Sequence, residues 1–95
     1  MLIKVADAKY KNVDLIESVE GFYATLAIKI TFKDGFVHVL YVNEAKLDVY
    51  AARQALKPNG WTREAMFNAE VSSVVRFLQT GERPHFRGLD TIRSL

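Results

Sequence analysis

The stretch from residue 22 to residue 33 alternates between apolar and polar side chains, and this period of two most constrains the fold. The even-numbered set is apolar: Phe22, Ala24, Leu26, Ile28, Ile30 and Phe32. The odd-numbered set is polar except for Ala27: Tyr23, Thr25, Ala27, Lys29, Thr31 and Lys33. Successive side chains of an extended strand point to opposite faces, so the pattern predicts one half-buried strand over residues 22–33.

A hairpin is predicted next, because Asp34-Gly35 separates this strand from a second apolar run over residues 36–42. With a two-residue loop, Phe36, His38 and Leu40 lie on the same face as Thr31. With a three-residue loop and Gly35 in the left-handed conformation, the two faces exchange, because a one-residue slip turns every side chain over. Either register leaves three bulky side chains on the second face, which predicts that this face needs a cover.

Two further strands are expected before the hairpin, at Leu2–Ala6 and Val13–Val19. Asn12 and the pair Glu20-Gly21 provide the turn residues between them. The four predicted strands follow one another along the chain, so we expect them to pair in meander order.

Two helices are predicted after the hairpin, each beginning with a capping residue and a hydrophobic staple. The first follows Asn43, runs from about residue 44 to residue 57, and ends at Pro58. The second follows Thr62, and its apolar positions recur at spacings of three and four over residues 67–78. Gly81 provides its C-terminal cap.

The fold class predicted from these elements is α+β. We expect an antiparallel meander sheet of three to four strands followed by two α-helices packed on one face, in the order ββββαα. Residues 82–95 are too apolar for a solvated tail, with Phe86, Leu89, Ile92 and Leu95 spaced three apart, so we expect a C-terminal closing segment. At 95 residues and 49% hydrophobic content, the chain is predicted to form a single domain, residues 1–95.

The composition favours a cytoplasmic protein with no membrane segment. No apolar stretch approaches the roughly 18 residues needed to span a bilayer, and the chain has no cysteine for a disulfide framework or a thiolate metal site. The net charge of +2 is too mild to indicate nucleic acid by itself.

No motif for catalysis, cofactor binding or metal binding appears. The chain has no G-x-S-x-G, no phosphate-binding glycine loop and no H-E-x-x-H. The string Thr80-Gly81-Glu82-Arg83-Pro84 resembles the linker of tandem zinc fingers, but the fingers need cysteine ligands that this chain lacks. His38 lies within a strand, where a core or cross-strand position beside Thr31 or Ile30 is the simpler interpretation than a general base. We expect neither enzymatic activity nor a cofactor.

The first helix carries a basic stripe with one aromatic side chain. Its members recur at helical spacing: Lys46, Tyr50, Arg53 and Lys57. The stripe could bind a phosphate backbone through counterion release and stacking, dock on an acidic protein surface, or form a solvated face with Tyr50 folded onto the core.

The end of the chain is rich in arginine and aromatic residues, a composition typical of interaction hot spots. The candidate partner-binding residues are Arg76, Arg83, His85, Phe86, Arg87 and Arg93. Alternatively, the apolar residues of this segment are core, and the arginines lie around them with their charged ends in solvent.

These features predict a non-catalytic binding or regulatory module that acts through protein–protein contacts and forms a homodimer. A small inhibitor or accessory protein of a mobile element is the kind of protein we expect. The alternative is a protein that binds nucleic acid or nucleotide phosphates through the basic helix face and the arginine-rich C-terminal segment.

Overall fold

The computed structural model describes residues 1–83, 89 and 91–95, and within them the predicted α+β architecture is confirmed. The strands and helices are β1 (Leu2–Ala6), β2 (Lys9–Asn12), β3 (Ile16–Phe22), β4 (Ala27–Phe32), β5 (Val37–Tyr41), α1 (Glu44–Ala55) and α2 (Arg63–Thr80). Short 3-10 turns lie at Val13–Leu15, Tyr23–Thr25 and Thr91–Ser94. Strands β3, β4 and β5 form an antiparallel meander sheet, and β1 pairs with β2 in a separate hairpin. The expectation that the strand at Leu2–Ala6 belongs to the same meander is therefore wrong.

The hairpin of β4 and β5 adopts the register of the three-residue loop. The Phe32 amide donates to the Phe36 carbonyl at 2.9 Å, and Gly35 has a φ of +88°. In this register His38 lies opposite Ile30 and Val39 lies opposite Lys29. Val37, Val39 and Tyr41 therefore share the second face with Lys29 and Thr31, while His38 and Leu40 share the core face.

The core face of the sheet is the one that the alternation predicts for residues 28–32. Ile28, Ile30 and Phe32 have no solvent-exposed surface, and both helices contribute to the same core through Leu47, Phe67 and Val74. Burial of these side chains on one side of the sheet leaves the other side uncovered by the helices.

The predicted strand is wrong for residues 22–26. Phe22 pairs with Ala27 across a turn, so its side chain lies on the face opposite to that of Ile28. Leu26 closes the turn in the left-handed conformation at a φ of 53°, and its amide donates to the Tyr23 carbonyl at 3.1 Å. The reversal that we placed at Glu20-Gly21 therefore occurs after Phe22, and Gly21 lies within β3.

The capping residues predicted for the helices are confirmed. The Asn43 side chain accepts from the Lys46 amide at 3.0 Å, and the Thr62 hydroxyl accepts from the Ala65 amide at 3.1 Å. Gly81 ends α2 at a φ of 72°, with its amide donating to the Phe77 carbonyl at 2.7 Å. Of the closing segment, Leu89 and Ile92 are buried in the core, and Phe86 lies outside the described residues.

Candidate binding groove between the helices

The loop between the two helices folds back against the last turns of α1. The Trp61 amide donates to the side-chain carbonyl of Gln54 at 3.2 Å. At Gly60, a Cβ atom would lie 1.8 Å from the Gln54 backbone oxygen, an approach that only glycine permits. This close contact holds Trp61 beside α1, with 56% of its surface exposed.

A groove of about 530 Å³ lies between α1 and α2 next to Trp61. One wall is formed by Tyr50 and Arg53 of α1 and by Lys57 in the turn that follows the helix. The opposite wall is the stripe of α2 that contains Met66 and Ala69. Three of the four residues of the predicted basic stripe therefore line one concave surface together with the chain's single tryptophan.

The interior of the groove is apolar and its rim is mainly basic. Met66 is half-buried, and Leu89 of the closing segment is buried where it lines the groove. Arg53 and Lys57 are exposed at the rim, and the Arg53 guanidinium lies 5.5 Å from the centre of the Tyr50 ring. Glu70 is the one acidic residue among the described lining residues, so the rim carries an excess of positive charge.

Arg63 fixes the helices that form the groove. Its guanidinium donates to the Tyr23 hydroxyl at 3.1 Å and to Asp48 of α1 at 2.7 Å, and a second carboxylate, that of Glu44, lies 3.8 Å away. The Tyr23 hydroxyl and the Asp48 carboxylate raise the pKa of Arg63 above its ordinary value. The start of α2 is thereby tied both to α1 and to the turn that follows β3.

The remaining residue of the basic stripe does not line the groove. Lys46 is exposed near the start of α1, two helical turns before Arg53. The stripe that the sequence predicts as one surface is therefore divided, with its C-terminal part at the groove.

The C-terminal candidates are only partly described. Arg76 donates twice to one oxygen of Glu82, at 3.0 and 3.1 Å, and the Arg83 guanidinium lies 5.0 Å from the centre of the Phe77 ring. Arg93 is exposed on the last 3-10 turn. His85, Phe86 and Arg87 lie outside the described residues, so their proposed role stays a prediction.

Seven of the described groove residues were not predicted as site residues: Gln54, Trp61, Met66, Ala69, Glu70, Ser73 and Leu89. The hydrophobic staple expected at the start of α2 joins Trp61 to Met66, and both residues line the groove. A tryptophan directly after a Pro-Asn-Gly turn is the signal that could have identified this surface, because connecting loops run over the protein surface and often carry binding residues.

His38 lies on the core face of β5 opposite Ile30, the cross-strand position that the sequence predicts. Its Nε2 atom is buried and has no hydrogen-bond partner among the described residues, and burial lowers the pKa of His38. No group of three or more histidine, cysteine or acidic side chains in the described part of the chain is arranged to hold a metal ion.

Among the described residues, no helix is both long enough and apolar enough to span a bilayer.

Comparison of the chain with protein-family models, curated proteins and solved structures finds no match.

Proposed function

We propose that this protein is a non-catalytic binding module that acts through protein–protein contacts. Its groove between α1 and α2 holds a short segment of a partner protein that carries a bulky apolar side chain flanked by carboxylates. The observation that carries the proposal is the convergence of Tyr50, Arg53, Lys57 and Trp61 on one apolar groove. A module of this kind regulates its partner by occupying a surface, as a small inhibitor or accessory protein does.

The shape and lining of the groove support an apolar side chain as its occupant. Binding sites in proteins are concave and mostly apolar, with a few polar groups that fix orientation. Tryptophan, tyrosine and arginine are the residues that most often dominate binding energy at protein interfaces, and Met66 adds a flexible side chain that adapts to a ligand's shape. An inserted leucine or phenylalanine would cover the exposed part of Trp61 and the half-buried Met66 together.

The charges on the rim support carboxylates next to that apolar side chain. Arg53 lies in the last turn of α1, and Lys57 follows two residues after the helix ends at Ala55. Both line the groove, so two acidic residues of a partner segment could meet them at the rim. Electrostatic complementarity of this kind selects the partner and speeds association more than it adds affinity.

The α2 wall continues past the groove to one of the C-terminal candidates. Arg76 follows Ser73, the last groove residue of α2, by three positions and therefore lies on the same helix face. Its ion pair with Glu82 is exposed on both sides, and such pairs contribute only about 0–1 kcal/mol. A partner carboxylate could replace Glu82 at little cost, which would extend the binding surface by one turn.

Nucleic acid is the alternative ligand, because aromatic side chains interleaved with cations also bind single strands. Two features of the groove favour a peptide over nucleic acid: its apolar interior, formed by Met66, Ala69 and Leu89, and the acidic side chain of Glu70. An apolar surface and a carboxylate do not contribute to binding a phosphate backbone. The two ligands also differ in salt dependence. Phosphate contacts make log affinity fall steeply with log salt.

The test uses Trp61 as an internal reporter, because the chain's single tryptophan lines the groove. A random short-peptide display library is selected on the intact protein, and the enriched peptide is titrated while Trp61 emission is recorded. We expect enriched sequences with a bulky apolar residue beside acidic residues, and a blue shift of Trp61 emission on binding. Failure to enrich any such peptide, or enrichment without a change in Trp61 emission, would overturn the proposal.

Matched variants locate the binding site. Lys57→Glu is expected to weaken peptide binding about two- to fivefold, which corresponds to the loss of one exposed ion pair. Lys33→Glu is the control: Lys33 is an exposed lysine in the β4–β5 loop, and its replacement is expected to leave peptide binding unchanged. For the apolar contact, Leu56→Ala is the control for Trp61→Ala, because Leu56 is 87% exposed and does not line the groove. Tighter binding of oligothymidylate or duplex DNA than of the peptide, with a steep salt dependence, would instead support the nucleic-acid alternative.

A further inference from the structure

At the edge of the meander sheet, β5 has backbone groups that bond to none of the described residues. Hydrogen bonds join Phe32 to Phe36 and Leu26 to Val42, each at 2.9 Å, and in an antiparallel pair the bonded positions alternate. His38 and Leu40 therefore direct their backbone groups toward β4, whereas Val37, Val39 and Tyr41 direct theirs outward. Among the described residues, no backbone group outside the sheet bonds to these three.

The sequence of β5 lacks the residues with which proteins usually prevent strand pairing. Charged side chains, proline and bulges protect exposed edges. Strand β5 contains none of them in the sequence Val-His-Val-Leu-Tyr, and its register against β4 is continuous. Strand β3 at the opposite edge carries Glu17 and Glu20 and has a register shift between Ile16 and Ser18. Within the described strands, β3 therefore carries protective residues at its edge and β5 does not.

The side chains along the unprotected edge are apolar and exposed. Val37, Val39 and Tyr41 are 41%, 38% and 70% exposed, and they lie on the sheet face opposite to the helices. Phe22 of β3 extends this apolar face and is 43% exposed. It pairs with Ala27 of β4, which in turn pairs with Tyr41. The edge thus combines free backbone groups with an apolar strip, the two features that a pairing strand uses.

We infer that β5 pairs in antiparallel fashion with β5 of a second copy of this chain, with the two-fold axis passing through Val39. Val39 then faces Val39 of the second copy, and Val37 faces its Tyr41. The three outward-facing residues of each strand exchange about six backbone hydrogen bonds, and the two sheets join into one continuous sheet. The helices and their groove lie on the other side of the sheet from the apolar strip.

A second copy fits this edge because the strip is complementary to itself. On the exposed face, each cross-strand pair in the inferred register joins two apolar side chains, a combination that stabilises antiparallel pairing. On the core face, His38 of each copy lies opposite Leu40 of the other, so no like charges face each other. The strip of Val37, Val39 and Tyr41 is uncharged, so it offers no attraction for a strongly charged partner. An edge of this length forms a small interface, and we expect association at micromolar concentrations rather than nanomolar ones.

Light scattering of the intact protein across micromolar to millimolar concentrations tests the inference. We expect a dimer that dissociates on dilution. Val39→Lys places two lysines opposite each other at the two-fold axis and is expected to give a monomer at every concentration. Val49→Lys is the matched control, because Val49 is an exposed valine on α1 and the variant is expected to dimerise. A monomeric wild-type protein, or a dimeric Val39→Lys variant, would overturn the inference.

A cysteine variant tests the register itself and does not depend on the charged variant folding. Directly opposed, hydrogen-bonded residues of antiparallel strands have Cα atoms about 5.5 Å apart, within the range that a disulfide can bridge. The chain has no cysteine of its own, so Val39→Cys is expected to form a covalent dimer on mild oxidation, and Val49→Cys is not. Equal cross-linking of the two variants would contradict pairing through β5.

Discussion

The Arg63 Nε atom donates a 2.7 Å hydrogen bond to a carboxylate oxygen of Asp48, and this bond joins the start of α2 to the middle of α1. The same guanidinium bonds to the Tyr23 hydroxyl, so one side chain connects both helices with the turn between β3 and β4. The width of the groove depends on how the two helices are held, and Arg63 contributes directly to that geometry.

Asp48→Asn removes the charge of this contact and is expected to lower the melting temperature by a few degrees. The amide that replaces the carboxylate is a weaker acceptor for a guanidinium. Asp14→Asn provides the control, because Asp14 is exposed and its carboxylate has no ion pair or hydrogen bond with any described residue. Thermal unfolding followed by circular dichroism measures both variants, and equal melting temperatures would show that the Arg63–Asp48 contact contributes nothing.

Gly60→Ala is expected to destabilise the protein by at least about 1–3 kcal/mol, the usual cost of forcing extra atoms into a packed site. The new Cβ would lie 1.8 Å from the Gln54 backbone oxygen, so the loop must move away from α1 and carry Trp61 with it. Urea unfolding measures the loss, and Trp61 emission of the folded variant reports the displacement. Asn59→Ala, at the neighbouring exposed position, should change neither quantity.

Gly21→Ala tests the close packing of α2 on β3. A Cβ at this position would lie 2.6 Å from a methyl carbon of Val71 and 3.2 Å from the Phe67 ring, and we expect a loss of about 1–3 kcal/mol of unfolding free energy. Val71→Ala removes the clashing methyl groups. The double variant should therefore lose less unfolding free energy than the two single variants lose in total. Strictly additive losses would contradict the close packing of Gly21 against Val71.

The stability of the fold is expected to decrease as the pH falls below about 6.5, the ordinary value for histidine. Burial lowers the pKa of His38 in the folded protein, so the unfolded chain binds more protons in this range, and unfolding becomes easier as protons are added. The Lys11 ammonium lowers the pKa of Asp34, but protonation of that carboxylate affects the stability only near and below pH 3.8. Urea midpoints from pH 7.5 to 5 should fall for the wild type and remain flatter for His38→Leu. An equal slope in both proteins would exclude His38 as the source.

The sequence was most informative where a local pattern and the tertiary structure agree. The caps at Asn43, Thr62 and Gly81 were predicted because each depends on the chemistry of a few neighbouring residues. The alternation of residues 28–32 identified the core face for the same reason. It failed at residues 22–26, where the Tyr23 ring packs 5.7 Å from Phe67 and its hydroxyl binds Arg63, contacts with a helix forty residues away that no local pattern contains.

The groove could be predicted only in part. Helical spacing placed Tyr50, Arg53 and Lys57 on one face, but the opposite wall depends on how α2 crosses α1, which the contacts of Arg63 and Gly60 determine. The hairpin register was open in the sequence because both loop lengths are compatible with Asp34-Gly35. The exposed edge of β5 became visible only once that register was known.

Amide and indole chemical-shift mapping tests the central claim about the groove most directly. The peptide enriched on the intact protein is titrated into labelled protein, and the indole N–H of Trp61 provides an assigned signal inside the groove. We predict that the largest shifts fall on Trp61 and on the groove residues of α1 and α2, and that Lys57→Glu reduces them. Shifts confined to β5 or to the β1–β2 hairpin, with the Trp61 indole unchanged, would contradict the account.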